Sequence, residues 1–140
     1  MTAAVEDLDS LSERVIGCAI AVHRSLGPGL LESIYRECLI LELKAEKIRV
    51  EKERRVALTY RGEPIAGQLT LDLLVDERLV VELKAVEQIK SVHLAQVITY
   101  LKLTGHPAGL LLNFNATTLR AGLRRLHHPD VYMNRKLVER

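Results

Sequence analysis

Tryptophan is absent from this chain and phenylalanine occurs once, so a platform of aromatic rings for stacking single-stranded bases is poorly supplied. Only two cysteines are present, Cys18 and Cys38, each within an apolar helical pattern and without the spacing of a zinc site. They are expected to be buried thiols in a reducing cytoplasm, with a disulfide between them disfavoured. No apolar run approaches the length of a membrane span. The N-terminal Met1-Thr2-Ala3-Ala4-Val5-Glu6-Asp7 lacks the basic start and apolar core of a signal peptide, so a cytoplasmic location is expected. Neither sign of charge dominates: 20 Lys and Arg face 18 Asp and Glu, and a net charge of +2 identifies no partner. A Gly-rich phosphate loop, a nucleophile elbow, internal repeats and low-complexity tracts are all missing.

What is present suits one ordinary domain. The 140 residues are 48% hydrophobic and 27% charged, enough for a sizeable core under a typical soluble surface. A single domain over residues 1–140 is expected, with its core at about 10–126 and a tail at 127–140. Charge is unevenly spread. The first fourteen residues are acidic (Glu6, Asp7, Asp9 and Glu13 against Arg14), and the stretch from Leu119 is basic. Its Arg120, Arg124, Arg125, Arg135, Lys136 and Arg140 outweigh Asp130 and Glu139, which suits either a polyanion or a plain solvated surface.

Ser10-Leu11-Ser12-Glu13 has the form of a capping box, followed by apolar residues at helical spacing as far as Leu26. Gly27-Pro28-Gly29 stops that helix, and a second is predicted from about Leu30 to Lys47. Val56, Leu58 and Tyr60 then alternate as a strand, and Arg61-Gly62-Glu63-Pro64 reads as a hairpin turn. Two apolar runs follow, Gln68–Val75 and Leu79–Val86, joined around Asp76-Glu77-Arg78. Helical spacing returns from about Ser91 to Thr104, and Ala108–Phe114 reads as a buried strand. Strand, helix and buried strand in succession favour a crossover connection. The segment Thr118–Leu126 fits a helix or an edge strand, and the strand is preferred. The order predicts an α/β domain with a mixed central sheet flanked by helices.

Charged groups interrupt both apolar runs. Asp72 sits in the first, and Glu82-Leu83-Lys84 in the second. Charges are rarely buried in strands without a partner. Glu82 and Lys84, two apart, share a face. Asp72 joins them only in one register: a two-residue turn opposes it to Val81, whereas a three-residue turn opposes it to Glu82. The second option also pairs Leu73 with Val81 and Leu71 with Leu83 on the other face, and is therefore predicted. Opposed carboxylates repel when ionised, and a divalent cation removes that cost. Oxygen ligands suit Mg²⁺ or Mn²⁺, with the Leu83 carbonyl as a candidate further ligand. Lys84 would stabilise a phosphate's developing charge or help position an attacking water. The bland alternative is a buried ion pair that merely holds the hairpin.

Asp72 followed by Glu82-Leu83-Lys84 resembles the Asp…(Asp/Glu)-x-Lys signature of the PD-(D/E)xK nuclease superfamily. Gly29-Leu30-Leu31-Glu32-Ser33-Ile34-Tyr35 resembles the motif that names the GxxExxY proteins, which are grouped with these nucleases, and Gln96-Val97-Ile98-Thr99-Tyr100 is similar to the Gln-x-x-x-Tyr motif of the RecB-like branch. The similarity spans roughly Val15 to Leu126, with Leu71 where the signature has proline. The resemblance implies a restriction-endonuclease-like core, with Asp72 and Glu82 as metal ligands and Lys84 as the catalytic lysine. Glu32 would bind the metal or its water from the first core helix, pointing inward beside Tyr35 and Leu39. Gln96 and Tyr100, with His93 one turn before, would orient Lys84 or contact a phosphate.

The resulting expectation is an Mg²⁺- or Mn²⁺-dependent nuclease acting on nucleic acid, DNA before RNA. Arg54, Arg55, Lys90, Arg120 and Arg124 are the candidates for phosphate contact. So small a domain has little surface for sequence reading, and a homodimer or protein partner would supply specificity. The alternatives are a non-catalytic nucleic-acid-binding or regulatory module on the same fold, and an interaction protein in which the charges form an ion-pair cluster.

Overall fold

The computed structural model describes residues 6–130. Helix α1 spans Leu8–Leu26, α2 Glu32–Ala45 and α3 Ser91–Thr104. The strands are β1 Val50–Tyr60, β2 Glu63–Val75, β3 Leu79–Lys84, β4 Ala108–Asn113 and β5 Leu123–His127. They form one mixed sheet in the order β1-β2-β3-β4-β5. Only β3 and β4 run parallel, and α3 connects them. Nearly every residue of β3 and β4 is buried, as befits central strands covered on both faces.

The sheet separates two apolar clusters. On one face, Leu73, Val75, Val81, Leu83, Leu110 and Leu112 pack under α1 and α2, contacting Val15, Leu39 and Leu43 among others. On the opposite face, Leu74, Val80 and Leu111 pack against Val97 and Leu101 of α3. Gly109 belongs to that contact: a Cβ there would lie 2.9 Å from Val97 Cγ1 and 3.3 Å from the Val80 carbonyl oxygen.

Several local expectations are corrected. The cap of α1 is Asp7, whose Oδ1 accepts the Ser10 N–H at 2.8 Å. Ser12 bonds back to the Leu8 carbonyl at 2.8 Å, so the predicted capping box lies inside the helix. Helix α2 is shorter than predicted at both ends, starting at Glu32 and ending at Ala45. Strand β3 ends at Lys84, two residues before the predicted Val86. Thr118–Leu126 divides into a 3₁₀ turn at Arg120–Gly122 and then β5, so both local patterns are used in part. His127, assigned to the tail, is the last residue of β5, opposite Ala108. Residues 131–140 of that segment, with Arg135, Lys136 and Arg140, lie outside the described residues. Cys18 is buried and Cys38 half-buried, and both are free thiols.

Candidate active site at the broken β2–β3 ladder

The β2–β3 turn has three residues, as the apolar pattern requires. Leu73 pairs with Val81, Leu74 with Val80 and Val75 with Leu79. Asp76 and Glu77 have φ of 51° and 58°, and Arg78 N–H donates to the Val75 carbonyl at 3.0 Å. The same register carried one residue further opposes Asp72 to Glu82.

At that point the backbone ladder stops and the carboxylates take over. Asp72 N–H donates to Glu82 Oε1 at 3.0 Å, and Leu83 N–H donates to Asp72 Oδ2 at 2.9 Å. Each acid thus ties the other strand's backbone through one of its oxygens. Strand β1 is irregular at the same level: Glu53 has φ of 52°, between the pairs Lys52–Leu73 and Arg54–Leu71. Across this irregularity β2 changes face. Leu73 and Val75 pack under α1 and α2, but Leu69 and Leu71, of the same parity, join the α3 cluster. The expectation that Leu71 shares a face with Leu83 is therefore corrected, since Leu83 packs under α1 and α2. A left-handed residue turns the chain out of the flat pleat, which a strictly alternating pattern does not anticipate.

Glu82 is 5% exposed, whereas Asp72 and Lys84 are half-buried. Burial, and secondly the charge of Asp72, push the Glu82 carboxyl up to about 8, with the Asp72 N–H bond and, less, Lys84 only partly offsetting them. None of the ion pairs among the described residues involves Asp72, Glu82 or Lys84. The ion-pair cluster considered from sequence is thus not what holds this hairpin.

Glu32, expected to point inward, is exposed, because it is the first residue of α2 and projects beyond the packed turn. It still reaches the sheet: its Oε1 accepts Ala85 N–H at 3.2 Å. Tyr35 explains the placement. Fully buried, it donates to the Gly27 carbonyl at 2.5 Å, accepts Leu30 N–H at 3.1 Å and stacks on Phe114 with ring centroids 4.6 Å apart. It latches the loop before α2, where Gly29 adopts φ of 105°.

On α3, Gln96 Nε2 donates to the Tyr100 hydroxyl at 2.8 Å. Burial, then the charge of Glu82 and less so that of Asp72, raise the Tyr100 phenol above its ordinary value, while the Gln96 hydrogen bond opposes the shift. His93 is used locally: its Nδ1 accepts the Lys90 N–H at 2.9 Å at the start of α3. Of the basic candidates, Arg54 is held by Glu51 at 2.8 Å and Glu77 at 3.5 Å, and Arg124 by the carbonyls of Ala121 and Leu123. Lys90 lines an open hollow with Val86, Glu87, Gln88 and His93. Arg120 lines a separate cavity of about 520 Å³ beside Arg24, His23 and Thr118.

Among the described residues no group of three or more His, Cys, Asp or Glu converges as a metal cluster. The Asp72–Glu82 pair nevertheless fits a divalent cation. It presents hard oxygen donors, and it contains a buried acid whose ionisation is opposed by burial and by its neighbour, a cost that a cation removes.

A sequence model of the PD-(D/E)XK nuclease superfamily matches residues 9–126. The chain belongs to this superfamily. Its five-stranded mixed sheet with three helices is the restriction-endonuclease-like α/β architecture of a PD-(D/E)XK domain. Neither a curated protein nor a solved structure matches the chain. Membership supports a nuclease-like function, divalent metal use as is general in PD-(D/E)XK nucleases, and nucleic acid as partner. Among the described residues, no helix is long and apolar enough to cross a membrane.

Sequence reasoning passed over Asn113. It is 3% exposed at the end of β4, opposite Lys84 in the parallel register. A polar residue closing Leu110-Leu111-Leu112 was the available signal, because a buried amide demands partners.

Proposed function

We propose that this protein is an Mg²⁺- or Mn²⁺-dependent nuclease that hydrolyses phosphodiester bonds of nucleic acid, DNA in preference to RNA. The observation that carries it is the exchange at the broken ladder, where Asp72 and Glu82 each grip the other strand's backbone through one oxygen and so bring two carboxyls together. Lys84, two residues beyond Glu82, completes the set. Asp72 and Glu82 would hold the cation, with the Leu83 carbonyl and Glu32 as further ligands directly or through water. A cation there would polarise the phosphodiester and neutralise developing charge.

The chain's own groups then divide the remaining work. Lys84 stabilises the pentavalent phosphate and orients the attacking water. Glu32 fixes the peptide after Lys84 by accepting the Ala85 N–H. Gln96 and Tyr100 border the carboxylates from α3 and orient Lys84 or contact a phosphate. Phosphate-backbone attraction falls to basic groups around this edge, including Lys90. Specificity beyond that would come from a homodimer or a protein partner. We further assign the chain to the cytoplasm.

The test is Mn²⁺- or Mg²⁺-dependent cleavage of duplex DNA, single-stranded DNA and RNA by the wild type, Asp72→Ala and Lys84→Ala. Loss of about 100-fold or more in kcat for each variant is expected, and equal activity in all three would reject the assignment. The sparse acid count at the site favours one competing interpretation, a binding module without turnover. In calorimetry that module would bind nucleic acid equally well with and without Mn²⁺, and it would never cut.

A further inference from the structure

We propose that Asn113 is a positioning residue for Lys84, a role that rests on the nuclease function proposed above. Strands β3 and β4 are in parallel register through Leu83–Leu112 and Lys84–Asn113, and there both strands end. Beyond that point the pairing continues by other means. Phe114 N–H donates to the Lys84 carbonyl at 2.9 Å. The Asn113 side chain then acts as a false strand: its Oδ1 accepts Val86 N–H at 3.1 Å and its Nδ2 donates to the Val86 carbonyl at 2.9 Å. The same Oδ1 accepts Asn115 N–H at 3.2 Å, which fixes the amide's orientation.

Three successive residues from Lys84 are consequently held from two sides. The Lys84 carbonyl is tied to Phe114, Ala85 N–H to Glu32, and both polar groups of Val86 to Asn113. A lysine has many side-chain rotamers, and fixing its backbone is the one restraint these neighbours impose on its ammonium. Asn113 is itself held by β4 and by Gly122, where a Cβ would lie 2.3 Å from the Asn113 carbonyl oxygen. Asp72 and Glu82 are anchored separately, through the β2–β3 exchange. Loss of the amide should therefore disturb Lys84 and spare Asp72 and Glu82, the two carboxylates that would hold the cation.

Asn113→Ala removes the clamp, and Asn113→Asp keeps the volume and the acceptor while removing the shorter of two donors to the Val86 carbonyl, the Asn115 Nδ2 at 3.4 Å remaining. For both, kcat should fall, by about 100-fold for Ala if Lys84 drifts by an ångström, with KM and Mn²⁺ affinity by calorimetry near wild type. Amide hydrogen exchange should accelerate at Ala85 and Val86 while the β3 and β4 core keeps its protection. The role is overturned if kcat of Asn113→Asp stays at the wild-type value while Val86 exchanges faster. It is overturned equally if kcat, Mn²⁺ affinity and core protection decline together, the mark of a merely structural residue. An inactive wild type would instead reject the nuclease assignment itself, so the two failures are distinguishable.

Discussion

Glu82 is where fold and function conflict. Its oxygen is needed by the Asp72 backbone, yet its ionised form is opposed by burial and by Asp72. In metal-free protein its folded value near 8 exceeds the ordinary 4.5, so the native state holds its proton more tightly than the unfolded chain. Stability from this group is complete below 4.5, falls as pH rises between the two values, and levels off above 8. Glu82→Gln imitates the protonated acid. With chelator at pH 8 it should be more stable than wild type, by a difference on the order of a few kcal/mol, and should lack the wild type's loss of stability across that window in urea denaturation. Wild type should gain stability at pH 8 when Mn²⁺ is added, and Glu82→Gln should gain little. A structural ion pair would give the opposite result, with Glu82→Gln the weaker protein at neutral and alkaline pH.

At the scale of the element, the β2–β3 hairpin fixes which residues meet. Its three-residue turn places Asp76 and Glu77 in the left-handed region, which aspartate tolerates better than glutamate. Glu77→Gly should therefore stabilise the protein by roughly 1 kcal/mol, visible as a raised urea midpoint with an unchanged slope, while Mn²⁺ affinity stays the same. A fall in stability would mean that the Arg54–Glu77 contact outweighs backbone strain. Helix α3 depends on a similarly local feature. Gly109→Ala sets a methyl group against Val97 and the Val80 carbonyl, and it should cost about 1–3 kcal/mol in thermal or urea denaturation. Unchanged stability would show that α3 slides on the sheet at no cost.

At the scale of the molecule, two clusters on opposite faces of the sheet hold the β3–β4 strand ends in place, and the candidate site lies beside those ends. The acidic start and basic end also meet, where Glu13 pairs with Arg125, while Glu6 pairs within the acidic start with Arg14 at 2.9 Å. Part of the charge asymmetry seen in sequence is thus internal pairing between α1 and β5. Exposed pairs of this kind are weak. Glu13→Gln should change stability by less than about 1 kcal/mol in urea denaturation and leave cleavage unaltered; a larger loss would make the α1–β5 contact a structural requirement.

Periodicity, glycine and proline stops and the apolar runs determined the element order, the mixed sheet and the three-residue turn opposing Asp72 to Glu82. These are short-range consequences of side-chain alternation and burial, and a sequence carries them explicitly. Tertiary structure alone decided the rest. The face change at Asp72 depends on a left-handed Glu53 in the neighbouring strand. Glu32 reaches the Ala85 N–H from an exposed helix start because Tyr35 latches the preceding loop. Asn113 clamps Val86 across 27 positions of sequence. Each of these is a hydrogen bond or backbone twist whose partner is distant along the chain, and no local pattern encodes which distant group will satisfy it.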